Sequence, residues 1–208
     1  MKLYEFPDAP SPRRARMFLA EKGLRVELVN ATEGTKLADW YVEKYPHALT
    51  PMLELDDGTQ IGETMAICRY FEMLYPDPPL MGRTPLECAC IEMWERRAYN
   101  EGLGAVEEVF RNSHPMMADR GFGGTTEAVP QVPALVERGQ GRLRRFFDKF
   151  ARQLADNRYV AGEHFSVADI TTLCAIDFGK WCLLEVPPHC SSIKRWYAEV
   201  SARPSAMA

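Results

Sequence analysis

The hydrophobic pattern of this chain changes at a proline-rich segment, residues 76–85. Upstream of it, short runs with strand-like alternation are interspersed with runs of helical spacing. Downstream of it, the apolar residues recur with helical spacing alone. Proline interrupts both helices and central strands, so this segment marks a boundary. The sequence therefore predicts an α+β domain at residues 1–80 and an all-helical domain at residues 85–208.

The first domain contains four strand candidates, at residues 2–6, 25–29, 52–55 and 59–61. The last two flank Asp56-Asp57-Gly58, a sequence that favours a tight antiparallel hairpin. A helix that Gly23 ends separates the first two, which can therefore run parallel with a right-handed crossover. Another helix follows the hairpin. The predicted order is β-α-β, an irregular stretch and β-β-α, giving a mixed four-stranded sheet covered by helices.

The second domain shows four apolar stripes of helical spacing, which begin near Leu86, Leu135, Ile170 and Ile193. The first stripe extends to about Phe110. Residues 115–130 contain proline and glycine and are expected to form a loop. Ser166 and Asp169 precede the third stripe with the spacing of a capping box, in which Asp replaces the usual Glu. We assign this pair to stability and not to catalysis.

The composition is that of a globular chain without a strongly basic surface. Hydrophobic residues make up 46% and charged residues 26% of the 208, and the formal net charge is -4. This balance provides no general attraction to nucleic acid or to acidic membranes. No secretory signal follows Met1, and no apolar run approaches the roughly 20 residues needed to span a bilayer. We expect a cytoplasmic protein with no nucleic-acid or membrane partner.

The six cysteines include no Cys-x-x-Cys pair. Cys88 and Cys90 are two positions apart and would face different sides of a helix. The cysteines are therefore expected to be small buried residues in a reducing compartment, with no metal site.

Two dipeptides of the first domain have the chemistry of a binding site. Thr50-Pro51 precedes the hairpin, and a proline there leaves the adjoining backbone available to an extended peptide ligand if its bond is cis. Glu63-Thr64 stands at a helix start, where free N–H groups and the helix dipole favour an anion while Glu63 favours an ammonium. This combination suits an α-amino-acid head group. Alternatively, the Thr50–Pro51 bond is trans and Pro51 only begins a strand, and Thr64 only caps its helix.

Five segments, taken in order along the chain, resemble motifs of the cytosolic glutathione S-transferase family. Residues 10–24 are similar to the family's first helix, residues 45–53 to N-P-x-G-x-V-P-x-L, and residues 61–67 to I-x-E-S-x-A-I. Residues 160–170 resemble the G-x-x-F-S-x-A-D-I segment of the helical domain, and residues 84–87 match a T-P-L-E segment of fungal and bacterial members. The matches cover nearly the whole chain. The resemblance implies a thioredoxin-like first domain, a helical second domain that contributes the pocket for an electrophile, and a homodimer.

The resemblance also implies how glutathione, as co-substrate, would be held. The tripeptide would lie extended beside a cis Thr50–Pro51 bond, where Thr50 would exchange main-chain hydrogen bonds with the cysteinyl unit. Leu49, at a position where the family commonly has Gln or Lys, belongs to the same segment. Glu63 and Thr64 would hold the γ-glutamyl head.

The glycine carboxylate of glutathione would pair with Lys36, whose alternative role is that of a solvated surface lysine. The bound thiolate would then attack an electrophile held against the helical domain, and lowering the thiol pKa matters because the thiolate is the nucleophile.

Two departures from the family pattern concern the site directly. Ala48 occupies the position of the family's glycine in N-P-x-G, and Ala9 occupies that of its N-terminal catalytic serine. Ser11, two residues later, is the candidate donor to the sulfur, and its alternative role is to cap the first helix ahead of Pro12. Further candidates lie at residues 111–114, where Arg111, Asn112, Ser113 and His114 follow one another.

The resulting functional hypothesis is a transferase that conjugates glutathione to small hydrophobic electrophiles. Glutathione-dependent isomerisation, dehalogenation or peroxide reduction on the same site is a second enzyme class. A non-catalytic binding module of the same fold is a third possibility.

Overall fold

The computed structural model describes all residues, 1–208. Its strands are β1 (Lys2–Glu5), β2 (Glu27–Asn30), β3 (Thr32–Glu33), β4 (Lys36–Leu37), β5 (Met52–Glu54) and β6 (Gln60–Ile61). Four of them form one sheet in the order β2-β1-β5-β6, with β1 and β2 parallel and the other neighbours antiparallel. In this register Leu3 pairs with Leu28 on one side and with Leu53 on the other. The predicted mixed four-stranded sheet is thereby confirmed.

Eight α-helices accompany the strands: α1 (Pro10–Glu21), α2 (Asp39–Lys44), α3 (Thr64–Leu74), α4 (Pro85–Arg97), α5 (Gly104–Ser113), α6 (Pro133–Asp156), α7 (Val167–Gly179) and α8 (Ser191–Ser201). A π-helical turn, Ala98–Leu103, joins α4 to α5 without a break in the rod. All strands precede residue 62, and helices alone follow, apart from two isolated bridges. This is the expected α+β arrangement followed by helices.

The structure differs from the sequence prediction between residues 25 and 44. The second strand begins at Glu27 instead of Arg25, because the pairing with β1 starts opposite Lys2. The stretch expected to be irregular folds into the two-stranded β3–β4 ribbon and the short helix α2. These elements have two to six residues each, too few for a periodic pattern to show in the sequence.

One hydrophobic core runs through both halves of the chain. It includes Leu3, Phe18 and Leu53 around the sheet and Phe146 and Trp196 among the helices, all of them nearly or fully buried. Helix α1 lies between the two halves, and Cys174 of α7 approaches its Met17 to 3.8 Å between the sulfur atoms. The two halves therefore stabilise each other through α1.

Helix starts in the second half are fixed by local hydrogen bonds. Asp169 accepts from the backbone N–H of Ser166 at 3.0 Å, as the predicted capping box requires. Its carboxylate is fully buried and also accepts from Val160 N–H at 2.9 Å and from Trp196 Nε1 at 2.8 Å. The same residue thus begins α7 and ties it to α8.

Candidate functional site

The residues of the proposed peptide-binding segment lie where β5 begins. Thr50–Pro51 is a cis peptide bond, as predicted, and Pro51 is buried directly before Met52, which pairs with Tyr4 of β1. The backbone just before Thr50 is held by Tyr41, whose hydroxyl donates to the carbonyl oxygen of Leu49 at 2.6 Å. The side chain of Leu49 is exposed beside this anchored backbone.

Thr64 is the first residue of α3 and is buried, with 5% of its surface exposed. Its hydroxyl donates to the backbone carbonyl of Ser11 at 3.2 Å and makes no helix-capping bond, so the alternative capping role is wrong. This bond brings the N-terminus of α3 against the first turn of α1. The first N–H groups of any helix lack partners within it, and those of α3 are therefore available to an anion.

Glu63 stands at the N-cap position of α3 with a φ of 63°, in the left-handed region. Non-glycine residues pay for this conformation, and such strain concentrates at functional sites. Glu63 is exposed, so that its carboxylate is accessible next to the helix start. Glu63 and Thr64 thus place an accessible negative group beside a helix N-terminus, whose free N–H groups favour an anion.

Ser11 does not lie in the loop before α1, and the expectation that it caps the helix is wrong. The helix begins at Pro10 with Ala9 as its N-cap, so Ser11 falls inside the first turn. Pro10 and Pro12 are both compatible with the first turn of a helix. The sequence therefore did not decide at which of the two prolines α1 begins. Ser11 is half-buried, and its carbonyl is the group that holds Thr64.

Ala48 adopts a φ of 50°, which is the left-handed conformation that glycine takes without cost. This explains physically why the family motif has glycine at this position. Ala48 is nearly buried, and its backbone N–H donates to the carbonyl of Tyr45 at 3.0 Å, closing the turn that leads to Leu49.

Lys36 lies in β4, is exposed and pairs with Glu33 in the two-stranded ribbon. A loop of the helical half reaches this ribbon: Arg120 donates to the carbonyl of Thr35 at 2.6 Å. The same loop passes over Leu49, since a β-carbon added to Gly124 would lie 3.5 Å from the Leu49 Cδ1 atom. The loop at residues 115–130 therefore borders the segment that contains Lys36 and Leu49.

The four candidates at the end of α5 differ in their surroundings. Asn112 accepts from Val132 N–H at 2.9 Å, Ser113 donates to the Val109 carbonyl at 2.8 Å, and His114 accepts from Met116 N–H at 3.3 Å. These three bonds hold the backbone of the helix end and the following turn. Arg111 instead makes a single 3.3 Å bond to the Arg120 carbonyl under the same loop.

Sequence reasoning missed two polar residues next to this site, Tyr99 and Glu107, which lie close to Arg14. The Arg14 guanidinium is buried, binds Glu95 at 2.6 Å and lies 5.4 Å from the centre of the Tyr99 ring. The charge of Glu107 raises the pKa of Tyr99 more than any other group does. The spacing of Glu107 and Arg111, four positions apart on one helix, was the available signal.

One side-chain group has the composition of a metal site. Asp148, His189 and Cys190 bring their potential ligand atoms within 4.8 Å of one another between α6 and α8. Asp148 and His189 are exposed and already form a 3.4 Å pair. None of the residues discussed above belongs to this group. Among the helices, none combines the length and the apolar character that crossing a membrane would need.

The comparisons with known proteins agree with this geometry. Residues 3–79 match the family model of the glutathione S-transferase N-terminal domain, and residues 114–204 match that of the glutathione S-transferase C-terminal domain. A curated relative, glutathione S-transferase 2 of Saccharomyces cerevisiae, is 34% identical over 99% of this chain and 87% of its own length.

Two solved structures are similar over nearly the full chain. The crystal structure of Gtt2 from Saccharomyces cerevisiae has a TM-score of 0.90 at 32% identity and covers 100% of this chain and 99% of its own. That of a glutathione S-transferase of class Gtt2 from Vibrio parahaemolyticus has a TM-score of 0.82 at 36% identity, covering 99% and 94%. The fold class is therefore a thioredoxin-like domain followed by a helical domain, and the chain belongs to the glutathione S-transferase family of enzymes.

Proposed function

We propose that this enzyme binds glutathione in its first domain and conjugates the thiolate to small hydrophobic electrophiles. The observation that supports this proposal most is that the starts of three elements, β5, α3 and α1, carry its binding residues. The cis Thr50–Pro51 bond begins β5, Glu63 and Thr64 begin α3, and Ser11 lies in the first turn of α1, linked to Thr64. An extended peptide with an amino-acid head and a central thiol matches this arrangement of backbone, acid and helix ends.

Each part of glutathione is bound by a different group of the site. The backbone at Leu49 and Thr50 pairs with the cysteinyl unit, while Glu63 binds the ammonium and Thr64 the carboxylate of the γ-glutamyl head. Lys36 binds the glycine carboxylate. The thiol proton leaves to solvent, and the positive ends of α1 and α3 favour the thiolate that remains. Sulfur then displaces a leaving group on the electrophile or adds to it.

Ser11 is the proposed donor to the thiolate. Its hydroxyl makes no hydrogen bond within the protein and stands in the first turn of α1, where the helix dipole adds to the stabilisation of negative charge. The electrophile would rest against the helical half, residues 85–208, while residues 1–80 bind glutathione.

Two assays, carried out one after the other, test the proposed function. Calorimetric titration with glutathione measures binding, and formation of the conjugate from 1-chloro-2,4-dinitrobenzene measures the reaction by absorbance. We expect binding in the range below millimolar and chloride release in step with conjugate formation. No heat of binding at millimolar glutathione would disprove the proposal. Binding without reaction across a panel of electrophiles would disprove the conjugation but not the glutathione site.

We also propose that the protein is a homodimer. Exposed apolar side chains on α3 and α4, including Met73 at 80% and Leu86 at 74% exposure, form surface that a second copy would cover. Light scattering at micromolar concentration should give twice the 23.6 kDa chain mass. A monomer mass, unchanged on raising the concentration, would contradict the dimer.

We also propose that the protein is cytoplasmic. All six cysteines are free thiols in the structure, which is typical of a reducing compartment. Fractionation of cells that express the protein, followed by immunoblotting, tests this; recovery in a secreted or membrane fraction would contradict it.

A further inference from the structure

Three side chains with metal-binding atoms meet where α8 begins against α6. They are Asp148 of α6, His189 of the turn before α8, and Cys190, the N-cap residue of α8. One carboxylate oxygen, one imidazole nitrogen and one sulfur atom all lie within 4.8 Å of one another. Asp148 is 41 positions from His189, so that no spacing in the sequence indicates this group.

The backbone that carries His189 and Cys190 is held in place on α6. The N–H of Cys190 donates to the carbonyl of Pro187 at 3.0 Å, which closes the turn around His189. In the first turn of α8, the Ser192 hydroxyl donates to the carbonyl of Ala151 in α6 at 2.7 Å. Two of the three ligand atoms are therefore positioned by a fixed turn, and the third by the helix on which that turn rests.

The separations of the three atoms suit a tetrahedral Zn²⁺ ion. The Nε2 atom of His189 and the Oδ1 atom of Asp148 are 3.4 Å apart, which is longer than a normal N–H···O hydrogen bond. Zinc bonds of about 2.1 Å to nitrogen or oxygen and about 2.3 Å to sulfur place neighbouring ligand atoms about 3.4–3.6 Å apart. Bringing the Cys190 sulfur to this separation takes a shift of about 1 Å, which the exposed side chains of Asp148 and His189 can make.

The Cys190 thiol is scarcely used by the rest of the protein. Its Sγ atom has one polar contact, to the carbonyl oxygen of Phe147, and that contact is 4.0 Å long. Cys190 is fully buried, whereas the side chains of Asp148 and His189 are 54% and 70% exposed. The sulfur atom therefore lies beneath two ligands that are accessible from solvent.

The charges around Asp148 restrict which metal the group can bind. Arg145, Lys149 and Arg152 line the same surface cleft as Asp148, but its carboxylate pairs with His189 alone. These positive charges oppose any dication, and one carboxylate is too little for Mg²⁺ or Ca²⁺, which need several oxygen ligands. Thiolate and imidazole ligands favour Zn²⁺ instead. The affinity must therefore come from the sulfur and nitrogen donors.

We propose that Asp148, His189 and Cys190 form a Zn²⁺ site that joins α6 to the start of α8. When the metal binds, the Cys190 thiol loses its proton to the buffer and its sulfur bonds to zinc as the thiolate. One thiolate and one carboxylate then neutralise the charge of the ion. Water fills the fourth tetrahedral position on the exposed side. The site shares no residue with the proposed glutathione site and does not depend on it.

Calorimetric titration with ZnCl₂ tests the site, using protein without a histidine tag in a buffer free of thiols and glutathione. We expect one Zn²⁺ per chain, a Kd below about 10 μM and no heat of binding with MgCl₂. His189→Ala and Asp148→Asn should each raise the Kd at least about 10-fold, because losing even an outer-shell partner of a metal costs roughly 10- to 100-fold. His164→Ala is the matched control, because His164 is also exposed and follows an acidic residue, Glu163, but belongs to no such group. It should leave the Kd unchanged.

Co²⁺ in place of Zn²⁺ reports the sulfur ligand without a substitution at the buried Cys190. The wild type should show a thiolate-to-cobalt charge-transfer band and the intense visible bands of tetrahedral Co²⁺, and His189→Ala should lose them. Cys88→Ser, which removes a half-buried thiol of α4, should retain them. Zn²⁺ should also raise the thermal unfolding midpoint of the wild type but not that of His189→Ala, because a ligand of the folded state stabilises it.

Three results would overturn the zinc site. The first is no heat of binding with Zn²⁺ in the wild type, and the second is an equal Kd in the wild type and His189→Ala, which would place the ion elsewhere. The third is a cobalt spectrum without the charge-transfer band, which would exclude Cys190 as a ligand. Since these titrations contain no glutathione, each of these results leaves the proposed transferase function standing.

Discussion

The hydroxyl of Thr64 donates a hydrogen bond to the backbone carbonyl of Ser11, 53 residues earlier in the chain. This one contact places the first turns of α1 and α3 next to each other. An anionic ligand bound at these two helix starts would be stabilised by both helix dipoles. The contact explains why a small residue with a hydroxyl is suitable at position 64.

Replacing Thr64 with Ala should weaken glutathione binding by about 2- to 12-fold, or roughly 0.5–1.5 kcal/mol, because it removes the hydrogen bond to the Ser11 carbonyl that positions the start of α3. Thr64→Ser retains the hydroxyl and should bind close to the wild type. Calorimetry on folded proteins measures the effect, with circular dichroism as the check on folding. Equal affinities for wild type and Thr64→Ala would exclude the residue from the site.

Replacing Ser11 with Ala should raise the pKa of the bound glutathione thiol and lower kcat about 10-fold, the rate equivalent of roughly 1.4 kcal/mol. Stability should change by less than about 0.5 kcal/mol, because Ser11 is not the N-cap of α1. The pH–rate profile measures the thiol pKa. Ser113→Ala, which removes a hydroxyl bonded to Val109, is the control. An unaltered profile in Ser11→Ala would direct the search for the sulfur donor to Arg111.

Ala48→Gly should stabilise the protein by about 0.5–1 kcal/mol. The left-handed φ of 50° costs an L-residue roughly 1–2 kcal/mol, and the greater freedom of glycine in the unfolded chain offsets part of the gain. Urea denaturation measures the difference. Ala89→Gly, at an exposed position inside α4, should instead lose about 0.5–1 kcal/mol. Destabilisation in both variants would show that the backbone at Ala48 carries no strain.

Arg14→Met should destabilise the fold by about 3–5 kcal/mol, because it leaves the buried carboxylate of Glu95 without its partner. The exposed pair of Arg69 and Glu92 has a similar distance, 2.8 Å, and Arg69→Met should cost less than about 1 kcal/mol. Adding Glu95→Gln to Arg14→Met should restore part of the loss. Equal effects of the two arginine variants on the denaturation midpoint would contradict a buried ion pair between the halves.

Local patterns in the sequence were sufficient for elements whose geometry depends on a few adjacent residues. Asp56-Asp57-Gly58 predicted the antiparallel hairpin of β5 and β6, and Ser166 with Asp169 predicted the start of α7. In both cases the hydrogen bonds that define the element connect residues close in the chain. The fold class followed from the same kind of signal, since periodicity distinguished a strand-containing half from a helical half.

Three features could not be predicted from the sequence, because neighbouring residues allow more than one local structure. Pro10 and Pro12 are equally good first-turn residues, so only the packed structure decided that α1 begins at Pro10 and that Ser11 lies inside it. The β3–β4 ribbon and α2 are too short for a period to be recognised. Whether Thr64 capped its own helix or bonded elsewhere depended on Ser11, a residue far away in sequence.

Residues near one another in the chain were enough to specify the order of strands and helices, the hairpin, the capping box and the motifs that carry the family resemblance, because each depends on a few adjacent residues. Only the folded chain shows that Arg14 lies against Tyr99 and that Arg120 reaches Thr35. Hydrogen bonds and charge interactions depend on distances in space. Folding sets these distances for residues far apart in the chain, and in the Arg14–Glu95 and Arg120–Thr35 contacts the partners are more than 80 positions apart.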